Sequence, residues 1–436
     1  MAIKKTKRRV EDTLALFGGK PIRTLPLAPI HNVGNEELSA AKRVLMRGPL
    51  SGFIGVAGER FLGGPEVRHL EKYFCKKFGM VHAVSFNSAT TALHGAIAAL
   101  EIGPGDEVIV PPYSMAASAV CVIMNGAVPI FADIDPDTFC ISPESIRSRI
   151  TKYTKAIVVV HLFGQAAAMD EIMAIAEEHN LKVIEDNAQS PGATYKEKFL
   201  GTIGDIGIFS LNVNKVVQSG EGGVLVTNNQ RYAHRAQLLR NHGESVIDGI
   251  PSYNEGPIFG SNYRMTELEA AIAYAQIKKL DRFNTHKKKL CNYLTKQLQD
   301  IEGITTPHIP PENTHVYFQY ALKIDEKKLG ISRDMLVRAM GAEGFPMSAG
   351  YVKPIYLLRL FQEKKAFNET HFPFIFDGYS GNPDYSKGIC PVVERMFERE
   401  LVSTMLCQYP RTKEHVAQFV QALKKVITHA SELKEI

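Results

Sequence analysis

Leu181-Lys182-Val183-Ile184-Glu185-Asp186-Asn187-Ala188-Gln189, followed by Ile206 to Ser210, Lys215 and Gly220-Glu221-Gly222-Gly223, decides the fold of this chain. The run Leu181 to Ile184 reads as a buried strand, and Asp186 falls at its carboxyl end. In an open α/β sheet, ligands sit in the crevice outside those ends. A carboxylate there is placed to meet something bound. Ile206 to Ser210 reads as another short strand, which delivers a hydroxyl and then Lys215 into a Gly-rich loop.

Outward from this stretch, strand signals recur at Val81 to Phe86, Glu107 to Val110, Val128 to Phe131, Ala156 to Val160 and Gly223 to Thr227. Helices are predicted over Pro65 to Lys77, from near Thr90, and over Ser142 to Ile150, Met169 to His179 and Gln230 to Asn241. Strands alternating with helices at this spacing mean βαβ units and a mainly parallel sheet, hence an α/β fold. Asn35 is expected to cap a first helix whose apolar face carries Leu38, Ala41, Val44 and Leu45. Apolar residues from Leu268 to Leu298 recur at threes and fours, which predicts a long helix linking two domains.

From about Glu302 the pattern changes: a strand over Val316 to Ile324, then helices over Arg333 to Ala342 and Lys413 to Ala430. Residues 346–390 are rich in Pro, Gly, Tyr and Phe without periodicity. Irregular segments of that length are either disordered or functional, and the aromatics point to a packed wall of a substrate pocket. The expected organisation is an arm over 1–34, a large domain over 35–265, a linking helix over 266–300 and a smaller C-terminal α/β domain over 301–436.

Composition sets the bounds. With 436 residues and 45% hydrophobic content, the chain can bury a sizeable core. The net charge of +5 comes largely from Lys4-Lys5-Thr6-Lys7-Arg8-Arg9, which reads as a solvated terminus and not as a nucleic-acid arm. No apolar run approaches the length of a membrane span, and none follows the basic cluster as it would in a signal peptide. Six scattered cysteines without metal-ligand spacing read as reduced thiols of a cytoplasmic protein, with no metal expected.

An acid at a strand end, a hydroxyl, a lysine and a yielding loop suit pyridoxal 5'-phosphate. That cofactor needs an amine for its Schiff base, an acid for its ring nitrogen and donors for its phosphate. Asn87-Ser88-Ala89-Thr90-Thr91 supplies small residues at a strand-to-helix turn, where unpaired amides can donate to a phosphate.

Asp186-Asn-Ala-Gln189, Phe209-Ser210, Lys215 and Gly220-Glu-Gly-Gly223, in this order, resemble the DegT/DnrJ/StrS family of pyridoxal-phosphate sugar aminotransferases. Recognisable motifs run from about Phe17 to Pro410. The resemblance implies fold type I, the aspartate-aminotransferase-like class. It implies Asp186 against the ring nitrogen, Gln189 along the ring or its 3-oxygen, Ser210 on the phosphate, and Lys215 as the Schiff-base amine and proton carrier. Ser88-Ala89-Thr90 stand where the family carries Ser-Gly-Thr, and Thr90 is the expected phosphate donor. Met115 occupies the slot of the family's ring-stacking aromatic, with Tyr113 as the alternative. Gly260 to Met265 matches a segment that reaches the neighbouring subunit's phosphate, which implies Asn262 and Arg264 as cofactor ligands and a homodimer with shared sites. Gly350-Tyr351 and Cys390 to Arg395 resemble positions in members that aminate cyclitol or nucleotide-sugar ketones, which makes Tyr351 a substrate residue. His161, after a strand, is either a structural histidine or a second substrate contact.

The reaction implied is transfer of an amino group from glutamate or glutamine to a keto-sugar or keto-cyclitol. Two alternatives stand beside it. One is a dehydratase on the same fold, in which histidine replaces the lysine. The other is a non-catalytic regulatory protein that keeps the fold.

Overall fold

The computed structural model of this chain describes residues 13–250, 258–367 and 369–435. The basic cluster Lys4 to Arg9 lies outside them. Two helices, α1 (Asn35–Arg47) and α2 (Pro65–Phe78), lead into β1 (His82–Phe86). There follow α3 (Ala89–Ala99), β2 (Glu107–Val110), α4 (Ala117–Met124), β3 (Val128–Phe131), α5 (Pro143–Arg149), β4 (Thr154–Val160), α6 (Met169–Glu178) and β5 (Lys182–Asp186). A short hairpin, β6 (Thr194–Tyr195) and β7 (Lys198–Phe199), precedes β8 (Ile206–Ser210), β9 (Gly223–Thr227) and α7 (Gln230–Arg240).

Seven of these strands form one sheet in the order β1-β9-β8-β5-β4-β2-β3. Pairing is parallel from β3 through β8, and only β9 runs against its neighbours. β4 carries the unbroken apolar run Ala156 to Val160 because helices cover both faces of a parallel sheet. Val158, Ile184 and Ile208 are accordingly fully buried at its centre. Asp186 ends the central strand β5, so it opens on the crevice that the sequence pattern anticipates.

Three expectations change. The first helix is capped one residue earlier, at Gly34, because the Glu37 carboxylate reaches back to accept from the Gly34 amide at 2.7 Å. Its buried residues are Glu37, Ala40 and Val44, facing Ala271, whereas Leu38 and Leu45 are exposed. The predicted linking helix is two: α8 (Glu267–Ile277) and α9 (Leu280–Leu298). The break falls at Lys278–Lys279, where the Lys279 amine meets Glu37 at 2.6 Å and the Asn32 carbonyl at 3.1 Å.

The third change concerns residues 346–390. The smaller sheet, β10 (Ile304–Thr305), β11 (Tyr320–Ile324), β12 (Ser348–Ala349) and β13 (Leu401–Thr404), is antiparallel in the order β10-β11-β13-β12. Helices α9, Arg333–Ala342 and Lys413–Thr428 pack on it through Leu290, Leu294, Leu336, Phe419 and Leu423. Between β12 and β13, however, the chain returns to the large sheet and covers its open edge at β3. Phe131 packs edge-to-face against Phe361 and Tyr385, with ring centroids 5.2 and 5.7 Å apart. The Tyr385 hydroxyl donates to the Pro129 carbonyl at 2.9 Å. An uncovered edge strand would present free backbone groups to other chains, and this strap shields them. Most of the aromatics predicted to wall a substrate pocket serve this edge instead.

Candidate active site

Asp186 is buried, and each carboxylate oxygen already holds one donor. Oδ2 accepts from the Ser118 hydroxyl at 2.9 Å and Oδ1 from the Ala188 amide at 3.1 Å. Ser118 in turn lies 3.1 Å from the Ser114 hydroxyl. An ionised carboxylate has about four acceptor positions, so capacity remains for a protonated ring nitrogen. Ser118 sits at the start of α4, 68 residues upstream of Asp186, and no local pattern in the sequence announces it.

Gln189 is held at both ends. Its Oε1 accepts from the Phe163 amide at 2.8 Å, and its Nε2 donates to the Tyr351 hydroxyl at 3.0 Å. The Tyr351 amide donates to the Tyr113 hydroxyl at 2.9 Å. Tyr351 meets Phe163 and Tyr113 edge-to-face, with centroids 5.1 and 5.8 Å apart. These contacts join four segments into one wall of the crevice. Phe163 takes a left-handed conformation, φ 58°, which an L residue adopts at a cost of about 1–3 kcal/mol and keeps only where the surroundings hold it. Its carbonyl, accepting from Phe318 at 2.7 Å, is part of that hold.

Lys215 follows a turn in which its amide donates to the Asn212 carbonyl at 2.9 Å. Glu221 braces the loop by accepting from the Asn212 side chain at 2.9 Å. The Lys215 Nζ lies 4.7 Å from the centre of the Phe318 ring. Burial lowers its pKa below the usual lysine range, opposed by the charge of Asp186. The two groups therefore feel one another across the crevice.

The phosphate side is built from β8, β9 and α3. Ser210 pairs with Gly223, and a Cβ on Gly223 would lie 2.5 Å from the Ser88 carbonyl, so only glycine lets the start of α3 approach the sheet. The Ser88 hydroxyl caps α3 by accepting from the Thr91 amide at 3.1 Å, which spends it locally. The first amides of a helix have no partner within it. Those of Ala89 and Thr90 thus stand beside Ser210. Ala89 is helical and not among the residues of positive φ, so alanine fits where the family carries glycine.

The segment of Asn262 and Arg264 borders this cradle, since the Asn87 amide donates to the Tyr263 carbonyl at 2.9 Å. Asn262 is exposed, and the Arg264 Nε is buried without a partner. Met115 is exposed beyond β2, while Tyr113 is buried with its hydroxyl engaged by Tyr351.

His161 is kept out of the crevice. It is fully buried: Nε2 lies 2.8 Å from Glu185 Oε2, and Nδ1 accepts from the Ala167 amide at 3.3 Å. That arrangement assigns the proton to Nε2. Successive residues of a strand face opposite sides, so Glu185 and its histidine lie behind the sheet layer that Asp186 fronts. Burial raises the Glu185 pKa, but the bond from His161 and the amides of Gly204 and Gly201 more than offset it and leave the group ionised. An acid inside an apolar strand was itself the signal for such a buried pair.

An amine, a carboxylate with spare acceptor capacity, a hydroxyl beside unpaired amides and an orphaned guanidinium nitrogen fit pyridoxal phosphate. Among the described residues no cluster could hold a metal ion, and no helix is long and apolar enough to cross a membrane. With the fold, these groups define a pyridoxal-phosphate enzyme of fold type I.

The comparisons with known proteins agree. The description of the DegT/DnrJ/EryC1/StrS aminotransferase family matches residues 56–376. GDP-perosamine synthase of Caulobacter vibrioides is 40% identical over 288 residues, 65% of this chain and 76% of that protein. L-glutamine:2-deoxy-scyllo-inosose aminotransferase of Streptoalloteichus tenebrarius is 32% identical over 440 residues, 97% of this chain and 99% of that protein. The solved aminotransferase of Psychrobacter cryohalolentis superposes with a TM-score of 0.80 at 30% identity, covering 93% of this chain and 100% of that one. The chain belongs to the DegT/DnrJ/EryC1/StrS aminotransferase family and is a pyridoxal-phosphate-dependent aminotransferase.

Proposed function

We propose that this enzyme transfers an amino group from glutamate or glutamine to a ketone on a sugar or cyclitol ring. One observation carries the reading: a lysine amine of lowered pKa shares a crevice with a buried, hydrogen-bonded carboxylate at the end of the central strand. The names of the relatives, a perosamine synthase and an inosose aminotransferase, support this substrate class. Bound there, pyridoxal phosphate supplies an electrophilic carbon and a ring that takes up electrons.

The chain's own groups do the rest. Asp186 would face the ring nitrogen and keep its proton there. Gln189, fixed by Phe163 and Tyr351, would lie along the ring. Ser210 and the amides of Ala89 and Thr90 would meet the phosphate, with Ser88 holding the start of α3 in place, and Asn262 and Arg264 would reach the phosphate of the partner subunit in a homodimer. Lys215 anchors the cofactor and then moves the proton at the donor's α-carbon, a task its lowered pKa suits. Tyr351 would border the acceptor, and Met115 would lie against the ring. His161, spent on Glu185 and Ala167, contacts no substrate in this reading. Six free thiols suit a cytoplasmic setting. Lys215 itself argues against the dehydratase, which requires histidine at that position.

The test has two parts. Borohydride reduction followed by peptide mapping should find the cofactor on Lys215. The amino form, made with glutamate or glutamine, should return to the original absorbance with a keto-sugar or keto-cyclitol. A label on another lysine, or no ketone that restores the spectrum, would overturn the proposal.

A further inference from the structure

A cavity of about 260 Å³ lies between the Lys215 loop, the N-terminal arm and α9, with Asn32, Lys215, Gln218, Lys287, Gln408 and Tyr409 among its lining residues. At about 30 Å³ per liquid water, this is room for a small amino acid. Two lysines line it, and no aspartate or glutamate does. Its walls are set in place: Asn32 donates to the Val216 carbonyl at 3.0 Å and accepts from Gln218 at 3.1 Å, and Gln408 donates to the Phe318 carbonyl at 2.8 Å.

Lys287 stands out within it. The residue is 1% exposed, and among the described residues no carboxylate pairs with it. Its neighbours are Cys291, one turn along α9, and His315. Burial lowers the amine to about 7, opposed by Cys291, and His315 is pulled to about 3 by burial and by the charge of Lys287. Neither neighbour supplies a counter-charge at neutral pH, since burial raises the Cys291 thiol well above its ordinary value. An amine held this way disfavours its own charged form unless something binds it. Perturbed groups in clefts mark functional sites.

We propose that Lys287 holds a carboxylate of the amino donor while Lys215 works on the donor's α-carbon. This assignment rests on the aminotransfer reading above and goes beyond it by placing the donor in the cavity that Lys215 and Lys287 share, between the lysine loop and α9. A carboxylate in the cavity would supply the absent counter-charge and draw a proton onto the amine.

Glutarate, a dicarboxylate that lacks the reacting amine, is the probe. Calorimetric titration of the cofactor-loaded protein should show it binding at millimolar concentrations or below. Lys287→Met should weaken that binding by at least about tenfold, the loss of one charge-assisted contact. Its cofactor absorbance should hold and its unfolding midpoint near neutral pH should not fall, because a buried unpaired amine has been replaced by an apolar chain of similar length. Lys287→Gln provides the same comparison should the methionine variant fold poorly. Equal affinity in either folded variant, or no glutarate binding by the wild-type protein, would overturn the assignment. Failure of the aminotransfer reading shows elsewhere, in the borohydride map and the ketone screen, and leaves the glutarate result standing on its own.

Discussion

At the scale of residues, the site turns on which atoms of Asp186 are already engaged. Ser118 and Ala188 fix the carboxylate in place without exhausting it. Asp186→Asn keeps the shape and removes the charge, so the variant should bind cofactor and lose most turnover. A charge-assisted bond of this kind is worth roughly 1.5–3 kcal/mol, or about ten- to a hundredfold. Ser118→Ala removes only one donor to the same oxygen and should fall between that variant and the wild type. Single-turnover rates for the three proteins should rank in that order. Near-normal rates for Asp186→Asn would make Asp186 a structural acid. The sequence pointed to Asp186 through its strand, but Ser118 enters only because parallel pairing of β2, β4 and β5 sets the start of α4 beside it.

At the scale of elements, the strap between β12 and β13 and the buried face of α9 each give a prediction. The strap places the Tyr379 hydroxyl 2.6 Å from Glu107, a buried acid at the start of β2. Tyr379→Phe leaves that acid short of a donor and should cost about 1–3 kcal/mol of stability. The cofactor spectrum should not change, because this part of the strap, unlike Tyr351 at its start, covers the far edge of the sheet. A shifted spectrum would place this part of the strap in the site as well. On α9, Lys287 titrates at about 7 when folded and near the ordinary lysine value when unfolded. Between those values the unfolded chain holds a proton that the folded one lacks, so stability rises with pH across that window. Urea midpoints of the wild type and Lys287→Met should therefore converge as pH rises from about 7 to 9.5, by up to about 3 kcal/mol. A constant gap would mean that the amine is charged in the folded protein throughout.

At the scale of the whole molecule, the open question is whether one chain completes its own site. Leu38, Leu45 and Met46 leave an apolar strip of α1 exposed on the single chain, as a dimer surface would. Arg264 borders its own chain's cradle through Tyr263, yet its Nε has no partner. Lys215→Ala and Arg264→Ala, each inactive alone, separate the two possibilities when mixed. If Arg264 serves the partner, half the dimers are hybrids with one intact site of two, and about a quarter of normal activity returns. If it serves its own chain, every hybrid site carries a lesion and nothing returns after verified subunit exchange.

Much of this protein is local, and so was legible before the structure. Strand and helix periods depend on neighbouring residues, and they placed the parallel sheet. Asp186, Ser210 and Lys215 could be picked out as candidates because strand ends and the loop after them are themselves local features. Tertiary structure decided what periodicity cannot encode: which face of a helix meets another element, and which distant segment supplies a partner. Leu38 and Leu45 read as core from their spacing, but the helix is turned by Glu37 and Lys279, whose buried pairing leaves those leucines exposed. His161 read as a possible substrate contact until Glu185, on the hidden side of the strand, claimed it. Residues 346–390 carry aromatics without a period, and nothing in their order says whether they line a pocket or seal an edge. The free backbone of β3 and the apolar surface around Phe131 settled that, because burying both is worth more than leaving either in water.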